Sequence, residues 1–227
     1  MKRLASLLLS ALLVFSLTAC GNPAGKGEAE TDEFLTQLEG SYVELFPELG
    51  KDEYHEKWVT HVEPIVGEAA TEETIAFLLN MCTAEIYGDE AVEAYKNPDD
   101  MRFDCYFLGG VDKFTISGNV ISGVDENGKE VFSHTYSPFE NKEDTGFLYY
   151  KTDDEDAGQF TYFAFAPDTP ESTYHIEFRY AESVDDLQSW FEGSYAYWNA
   201  AGILEGYSDE MMDQCIELFA TENLSGE

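Results

Sequence analysis

The segment Thr173-Tyr174-His175-Ile176-Glu177-Phe178-Arg179-Tyr180 alternates polar and apolar residues one by one. In an extended strand that alternation puts His175 and Glu177 on one face and Tyr174, Ile176, Phe178 and Tyr180 on the other. An imidazole and a carboxylate two residues apart are within reach of a common divalent ion, and zinc accepts both donors. Two donors do not make a site. The plainer reading of the same residues pairs Glu177 with Arg179 at the surface and leaves His175 exposed or simply hydrogen bonded. His134 alternates with Phe132 and Tyr136 and so falls among aromatic side chains. It reads first as packing, and as a third ligand only if folding brings it to His175.

Other constellations fail on spacing. His55-Glu56-Lys57-Trp58-Val59-Thr60-His61 opens like the zinc-protease sequence His-Glu-x-x-His, but position 59 is Val. At about 100° per residue, His61 lies about 120° around a helix from His55. There is no Gly-x-Ser-x-Gly elbow, no Gly-x-Gly-x-x-Gly turn and no phosphate loop, so an enzyme is not expected. Asp153 to Gly158 has the acidity of a calcium loop, but Ala157 interrupts the alternating acids such a loop needs, and a solvated hairpin loop fits better.

At the N-terminus, Lys2 and Arg3 precede an apolar run from Leu4 to Leu17, which ends at Leu17-Thr18-Ala19-Cys20-Gly21. Charge, apolar stretch and small residues in that order are an export signal. The run falls short of the roughly 20 residues a membrane span requires. The sequence before Cys20 resembles a bacterial lipobox, so residues 1–19 are expected to be removed and Cys20 to carry lipid, anchoring the chain outside the cytoplasm. Gly21 to Glu30 lacks bulky apolar side chains and reads as a flexible tether of about 17 Å r.m.s. reach. The chain has 12 Lys+Arg against 46 Asp+Glu; without Lys2 and Arg3 the count is 10 against 46, a net charge of −36. Nucleic acid and anionic lipid headgroups are poor partners for such a surface. Beyond Cys20, the cysteines Cys82, Cys105 and Cys215 allow one disulfide at most, and Cys82 and Cys215 fall on apolar helix stripes as buried thiols.

These residues need elements to position them. Phe34, Leu38, Tyr42 and Leu45 recur at helical spacing up to Pro47; Tyr54, Trp58 and Val62 mark a second helix that Pro64 stops; Ile75, Leu78, Leu79, Cys82 and Ile86 mark a third, opening at Thr71. The period then changes to two. Candidate strands are 111–117, 119–124, 130–136, 146–150, 159–166 and 173–180, with Asn127-Gly128 as a type I′ hairpin turn. Two helices follow, from Ser183 with Leu187, Trp190 and Phe191, and from Ser208 with Met212, Cys215, Ile216 and Phe219. The expected fold is α+β: residues 31–227 as one domain, a mainly antiparallel small barrel with helices before and after the strands.

Several blocks together resemble one family. Leu38-Glu39-Gly40-Ser41-Tyr42 with Leu45-Phe46-Pro47-Glu48-Leu49, Phe114 to Gly118, Asn127 to Tyr136, Asp156 to Tyr162, Tyr174-His175-Ile176 and Ser183 to Leu187 are similar, in that order, to motifs of the ZinT family. The resemblance spans roughly residues 38 to 222. It implies a calycin (lipocalin-like) barrel that binds zinc or a similar divalent ion outside the cytoplasm and assists a zinc ABC transporter. It also implies departures. In the family's His-Phe-His motif the second histidine falls on His175, but the first falls on Thr173, and the family's third histidine has no counterpart before Ala166-Pro167. A rebuilt site would join Glu177 to His175, with His134 or an acid from another strand as third ligand. The alternatives are a barrel that binds a small apolar ligand in its mouth, and a protein-binding accessory domain that has lost the metal.

Overall fold

Alternating apolar residues build the strands, and the strands close on themselves. The computed structural model describes residues 31–81, 105–140, 145–189 and 198–224; the expected signal (1–19), Cys20 with its tether (20–30), Cys82, Ile86, Trp190 and Phe191 lie outside them. Among the described residues are β1 (Gly40–Glu44), β2 (Lys113–Ser117), β3 (Val120–Val124), β4 (Glu130–Thr135), β5 (Ser137–Pro138), β6 (Leu148–Lys151), β7 (Tyr162–Phe165), β8 (Ile176–Ala181) and β9 (Ala200–Leu204). All pair antiparallel, in the order β4-β3-β2-β1-β9-β8-β7-β6-β5. β4 and β5, at the two ends of that order, are parted only by Tyr136, so one stretch of chain spans the seam of a nearly closed barrel. The α+β barrel with helices before and after its strands is the fold expected from the sequence.

The barrel interior is aromatic. Phe163 at its centre lies 5.2–6.2 Å, centroid to centroid, from the rings of Phe114, Phe132, Tyr136, Phe165, Phe178 and Tyr180. Edge-to-face and tilted contacts of this kind add to the burial of the rings themselves. The outer wall at β1 and β9 is covered by helices α2 (Leu45–Leu49), α3 (His55–Val66), α4 (Thr71–Met81) and α6 (Asp209–Leu224). Trp58, Val62, Ile75, Leu78, Met212 and Ile216 pack there against Ala201 and Ile203. Two further short helices, α1 (Glu33–Gln37) and α5 (Val184–Ser189), lie before β1 and after β8. No helix among the described residues is long and apolar enough to cross a membrane.

Several elements differ from the sequence expectation, each for a physical reason. The helix expected from Phe34 to Leu45 is α1, then β1, then α2. Gly40 sits at φ +152°, and a Cβ there would lie 2.4 Å from Leu204 Cδ2. From Gly40 onward the backbone pairs with β2 and β9, which puts Tyr42 in the barrel with its hydroxyl donating to the Leu38 carbonyl at 2.7 Å. Helix α3 runs past Pro64 to Val66, since a proline in the last turn forfeits only one bond; Gly67, at φ +83°, ends it. The β3–β4 turn is built on Asp125 to Gly128, with Gly128 N–H donating to the Asp125 carbonyl at 2.8 Å. Only Gly128 of the pair Asn127-Gly128 has positive φ, so this is a turn followed by a left-handed glycine, with a register shift at Gly123/Val124, rather than type I′. Strand β9, central in the strand order, has no counterpart among the expected strands, because Ala200-Ala201-Gly202 carries no alternation. Its smallness is functional packing: a Cβ on Gly202 would press on Tyr42 at 3.2 Å and Phe107 at 3.3 Å.

Candidate metal centre

β8 lies between β7 and β9, with Glu177 opposite Ala201. Ile176, Phe178 and Tyr180 belong to the interior cluster, whereas Ala201 belongs to the outer one. Glu177 and Arg179 therefore face outward, beneath α2 and α6. The strand begins at Ile176 rather than Thr173, and Tyr174 stands at φ +68°, the sole non-glycine with positive φ among the described residues. This backbone turn sends Tyr174 to the outer cluster and not, as strict alternation predicts, to the side of Ile176. A left-handed tyrosine costs on the order of 1–2 kcal/mol, and such strain collects at sites that need it.

What the turn positions is a set of three donors. One ligand atom each from Asp168, His175 and Glu177 lies within 4.8 Å of the other two, and all three residues are half-buried. His175 Nδ1 is 2.7 Å from the Thr173 carbonyl oxygen, which can only accept, so Nδ1 carries a proton. Nε2 faces Glu177 Oε1 at 3.4 Å. The other Glu177 oxygen accepts from Asn199 Nδ2 at 2.5 Å. Asp168 comes from the β7–β8 loop, folded back by a turn in which the Ser172 and Thr173 amides donate to the Thr169 carbonyl at 2.9 and 3.0 Å. His175 and Glu177 are thus each held from behind by a partner that leaves the other atom facing the cluster, the arrangement by which metal sites orient their ligands.

The electrostatics follow from burial and crowding. Burial and the neighbouring Glu177 raise the Asp168 carboxyl above its ordinary range, against a lowering pull from His175. Burial also disfavours the Glu177 carboxylate, but His175, Asn199 and Arg179 together outweigh it and leave its pKa lowered. For His175, burial opposes the charged ring, yet the Cys215 sulfur and Glu177 prevail and hold it well above the usual imidazole value. Arg179 is buried, donates Nε–H to the Trp198 carbonyl at 2.9 Å and lies over the Phe147 ring; burial pushes its pKa down to about 10. Glu177 and Arg179, expected as a surface pair, instead occupy a half-buried and a buried position, and act on each other through their charges. The cluster is a place where two acids crowd one imidazole, and a cation relieves that crowding.

Beside the cluster is a cavity of about 280 Å³. His175, Glu177, Arg179 and Asn199 line it on the sheet side, and Leu45, Phe46 and Leu49 of α2 with Leu218 and Phe219 of α6 supply its apolar walls. Cys105 and Cys215, both buried and neither in a disulfide, line it as well. It lies on the outer wall, away from the ring-filled barrel interior.

The structure does not bring His134 to this cluster. Its Nδ1 lies 2.9 Å from Asp154 Oδ2, and its ring stacks on Phe132, because β4 is at the far end of the strand order from β8. His55 and His61 also stay apart, at Glu72 (3.3 Å) and Asp213 (3.2 Å) respectively. Sequence reasoning missed Asp168 and Asn199. Pro167 to Thr173 is rich in turn-forming residues ending at the expected strand, a signal that an acid there could fold back toward His175. Asn199 gave no signal.

Compared by sequence, the chain matches no family profile and no curated protein. Compared by structure, it superposes on the Zn(II)-bound ZinT-like domain of Streptococcus pneumoniae AdcA with a TM-score of 0.51 and 17% identity, over 85% of this chain and 94% of that domain. The fold is that of a ZinT-like domain. The same ZinT-like fold aligns with Zn(II)-bound AdcA from Streptococcus pneumoniae at a TM-score of 0.50 and 16% identity, over 84% of this chain. The chain spans only 36% of that longer protein.

Proposed function

We propose that the protein is an extracytoplasmic lipoprotein, anchored at Cys20, whose ZinT-like domain binds a divalent metal ion, zinc, through Asp168, His175 and Glu177 in support of uptake by a zinc ABC transporter. The observation that carries this reading is the convergence of the three donors. Tetrahedral zinc with ligands at about 2.0–2.1 Å has donor atoms about 3.4 Å apart. The His175 Nε2 to Glu177 Oε1 separation is 3.4 Å, and no pair in the cluster exceeds 4.8 Å, so modest side-chain movement closes the set. Imidazole and carboxylate oxygen are donors that zinc takes, and three protein ligands leave a fourth position open. The two structural neighbours are both Zn(II)-bound, which supports zinc as the ion.

Calorimetric titration of residues 21–227 with zinc, at moderate salt to suppress diffuse cation binding by the acidic surface, tests the proposal. The expected result is one saturable site, lost in His175→Ala. The absence of a saturable site removes the metal, and identical isotherms for the two proteins remove His175. Anchorage is tested separately: radiolabelled fatty acid should be incorporated by the full-length chain and not by Cys20→Ser.

A further inference from the structure

Tyr174 and His175 are neighbours in the chain, yet both serve the outer face of the sheet: Tyr174 packs against the outer cluster and His175 lines the outer cavity. An extended chain sends neighbours to opposite faces. The left-handed backbone at Tyr174, φ +68°, is what keeps the two on one side. We infer that Tyr174 is a positioning residue of the metal centre: its backbone aims the Thr173 carbonyl at His175 Nδ1, which leaves Nε2 for the ion, and its ring pins the turn that carries Asp168. The inference rests on the metal reading above and adds to it which nitrogen binds and which residue selects it.

Cost, placement and connection carry it. A bulky side chain at positive φ is a genuine outlier. Glycine would adopt the same backbone without strain, but would also leave the turn free to relax. Tyrosine accepts the strain and fixes the geometry, because its ring is held against the outer cluster. The bond that results joins His175 Nδ1 to a carbonyl two residues back, at 2.7 Å. In a regular strand the carbonyls lie in the sheet while side chains stand perpendicular to it, so that bond needs the turn. The hydrogen bond on one ring nitrogen decides which nitrogen is left to a metal, and Nε2 is the one that faces Glu177 Oε1, at 3.4 Å. Upstream the turn is tied as well. Thr169 is buried, its amide donates to Ser172 Oγ at 3.0 Å, and its carbonyl accepts from the Ser172 and Thr173 amides. Asp168 stands immediately before this knot and His175 immediately after Tyr174, so the ten residues from Asp168 to Glu177 carry all three donors in one tied segment.

The test uses cadmium-113 in place of zinc, because its coupling to nitrogen-15 identifies the ring nitrogen that binds. Residues 21–227, labelled with nitrogen-15, are titrated with cadmium and, by chelator competition, with zinc. The variants are Tyr174→Phe, which keeps the ring, and Tyr174→Gly and Tyr174→Asn, which both tolerate positive φ and lose it. The expected result is cadmium coupled to His175 Nε2 in the parent and in Tyr174→Phe, with equal zinc affinity. In Tyr174→Gly and Tyr174→Asn zinc affinity should fall about 10–100-fold, as for other groups that orient a ligand, and the cadmium coupling should no longer be confined to Nε2. A purely structural role would move the thermal melt of the metal-free variants and leave the coupling at Nε2. No saturable binding by the parent overturns both the metal reading and the role of Tyr174. Saturable binding through Nδ1 in the parent overturns the role of Tyr174 alone, as does zinc binding by Tyr174→Gly and Tyr174→Asn within threefold of the parent with coupling still at Nε2. A loss in Tyr174→Phe equal to that in Tyr174→Gly overturns it too, by assigning the effect to the hydroxyl.

Discussion

Replacing Asp168 by Asn should move the stability of the metal-free protein and its affinity for zinc in opposite directions. Asp168 and Glu177 have ligand oxygens within 4.8 Å. Two like charges at that distance repel by about 3.5 kcal/mol at an effective dielectric of 20, and water at a half-buried site together with attraction to His175 reduces the net penalty to about 1 kcal/mol. The sign is consistent with the raised Asp168 pKa: an acid titrating higher in the folded state contributes stability below its unfolded pKa and loses it as pH rises through the folded value. At pH 7 the ionised group therefore opposes folding. Asn keeps the shape and removes the charge, so the metal-free variant should melt about 2–4 °C higher, at roughly 2–4 °C per kcal/mol for a domain of this size. Zinc binding loses an anionic ligand. Outer-shell substitutions cost about 10–100-fold in affinity, so loss of a ligand should cost about 100-fold or more. With zinc at about 1,000 times the original Kd, linkage stabilises by about 4.1 kcal/mol in the parent and about 1.4 in the variant. The zinc-induced rise in Tm should shrink by about 5–11 °C. Thermal melts with and without zinc, at fixed ionic strength, measure both quantities. A variant that melts no higher than the parent without metal, yet gains as much from zinc, would refute the assignment of Asp168 to the cluster.

The remaining predictions separate the site from its scaffold. Asn199→Ala exchanges a hydrogen bond to Glu177 for release of the buried, unpartnered Asn199 Oδ1, so chemical denaturation should show little net change in stability, while chelator competition shows zinc affinity falling about 10–100-fold. Zinc must displace a proton that Cys215 and Glu177 favour on His175; calorimetry in buffers of different ionisation enthalpy should detect proton release near pH 7, and zinc affinity should fall as pH is lowered. Phe163→Ala empties the ring-packed barrel centre and should cost about 3–5 kcal/mol in urea unfolding, with zinc affinity of the folded fraction unchanged, since the cluster lies on the other face of the sheet. Gly40→Ala should destabilise by about 1–3 kcal/mol, because its Cβ meets Leu204 at 2.4 Å on a left-handed backbone.

Much of the scaffold can be read from the chain because period-two alternation reflects a strand with one face in a core. The interior set of Phe114, Phe132, Phe178 and Tyr180 was legible for that reason, as was the placement of His175 with Glu177. The helix starts at Thr71, Ser183 and Ser208 were legible too, since the acids in each first turn and the capping hydroxyls of Ser183 and Ser208 are local chemistry. Where local signals were ambiguous, long-range pairing chose. Tyr42 lies at helical spacing from Leu38 but became a strand residue because β2 and β9 satisfy its backbone, and Ala200 to Leu204, nearly featureless alone, became the strand between β1 and β8.

The site divides the same way. Two donors on one strand face are a property of the sequence. The third is a property of the tertiary fold: Asp168 arrives by a loop reversal ending at a left-handed Tyr174, and Asn199 by the pairing of β9 with β8. His134 had as good a residue type as either and was excluded because barrel order places β4 away from β8. Donor type is written in the side chains, but convergence within 4.8 Å depends on which strands and loops become neighbours, and non-local pairing decides that.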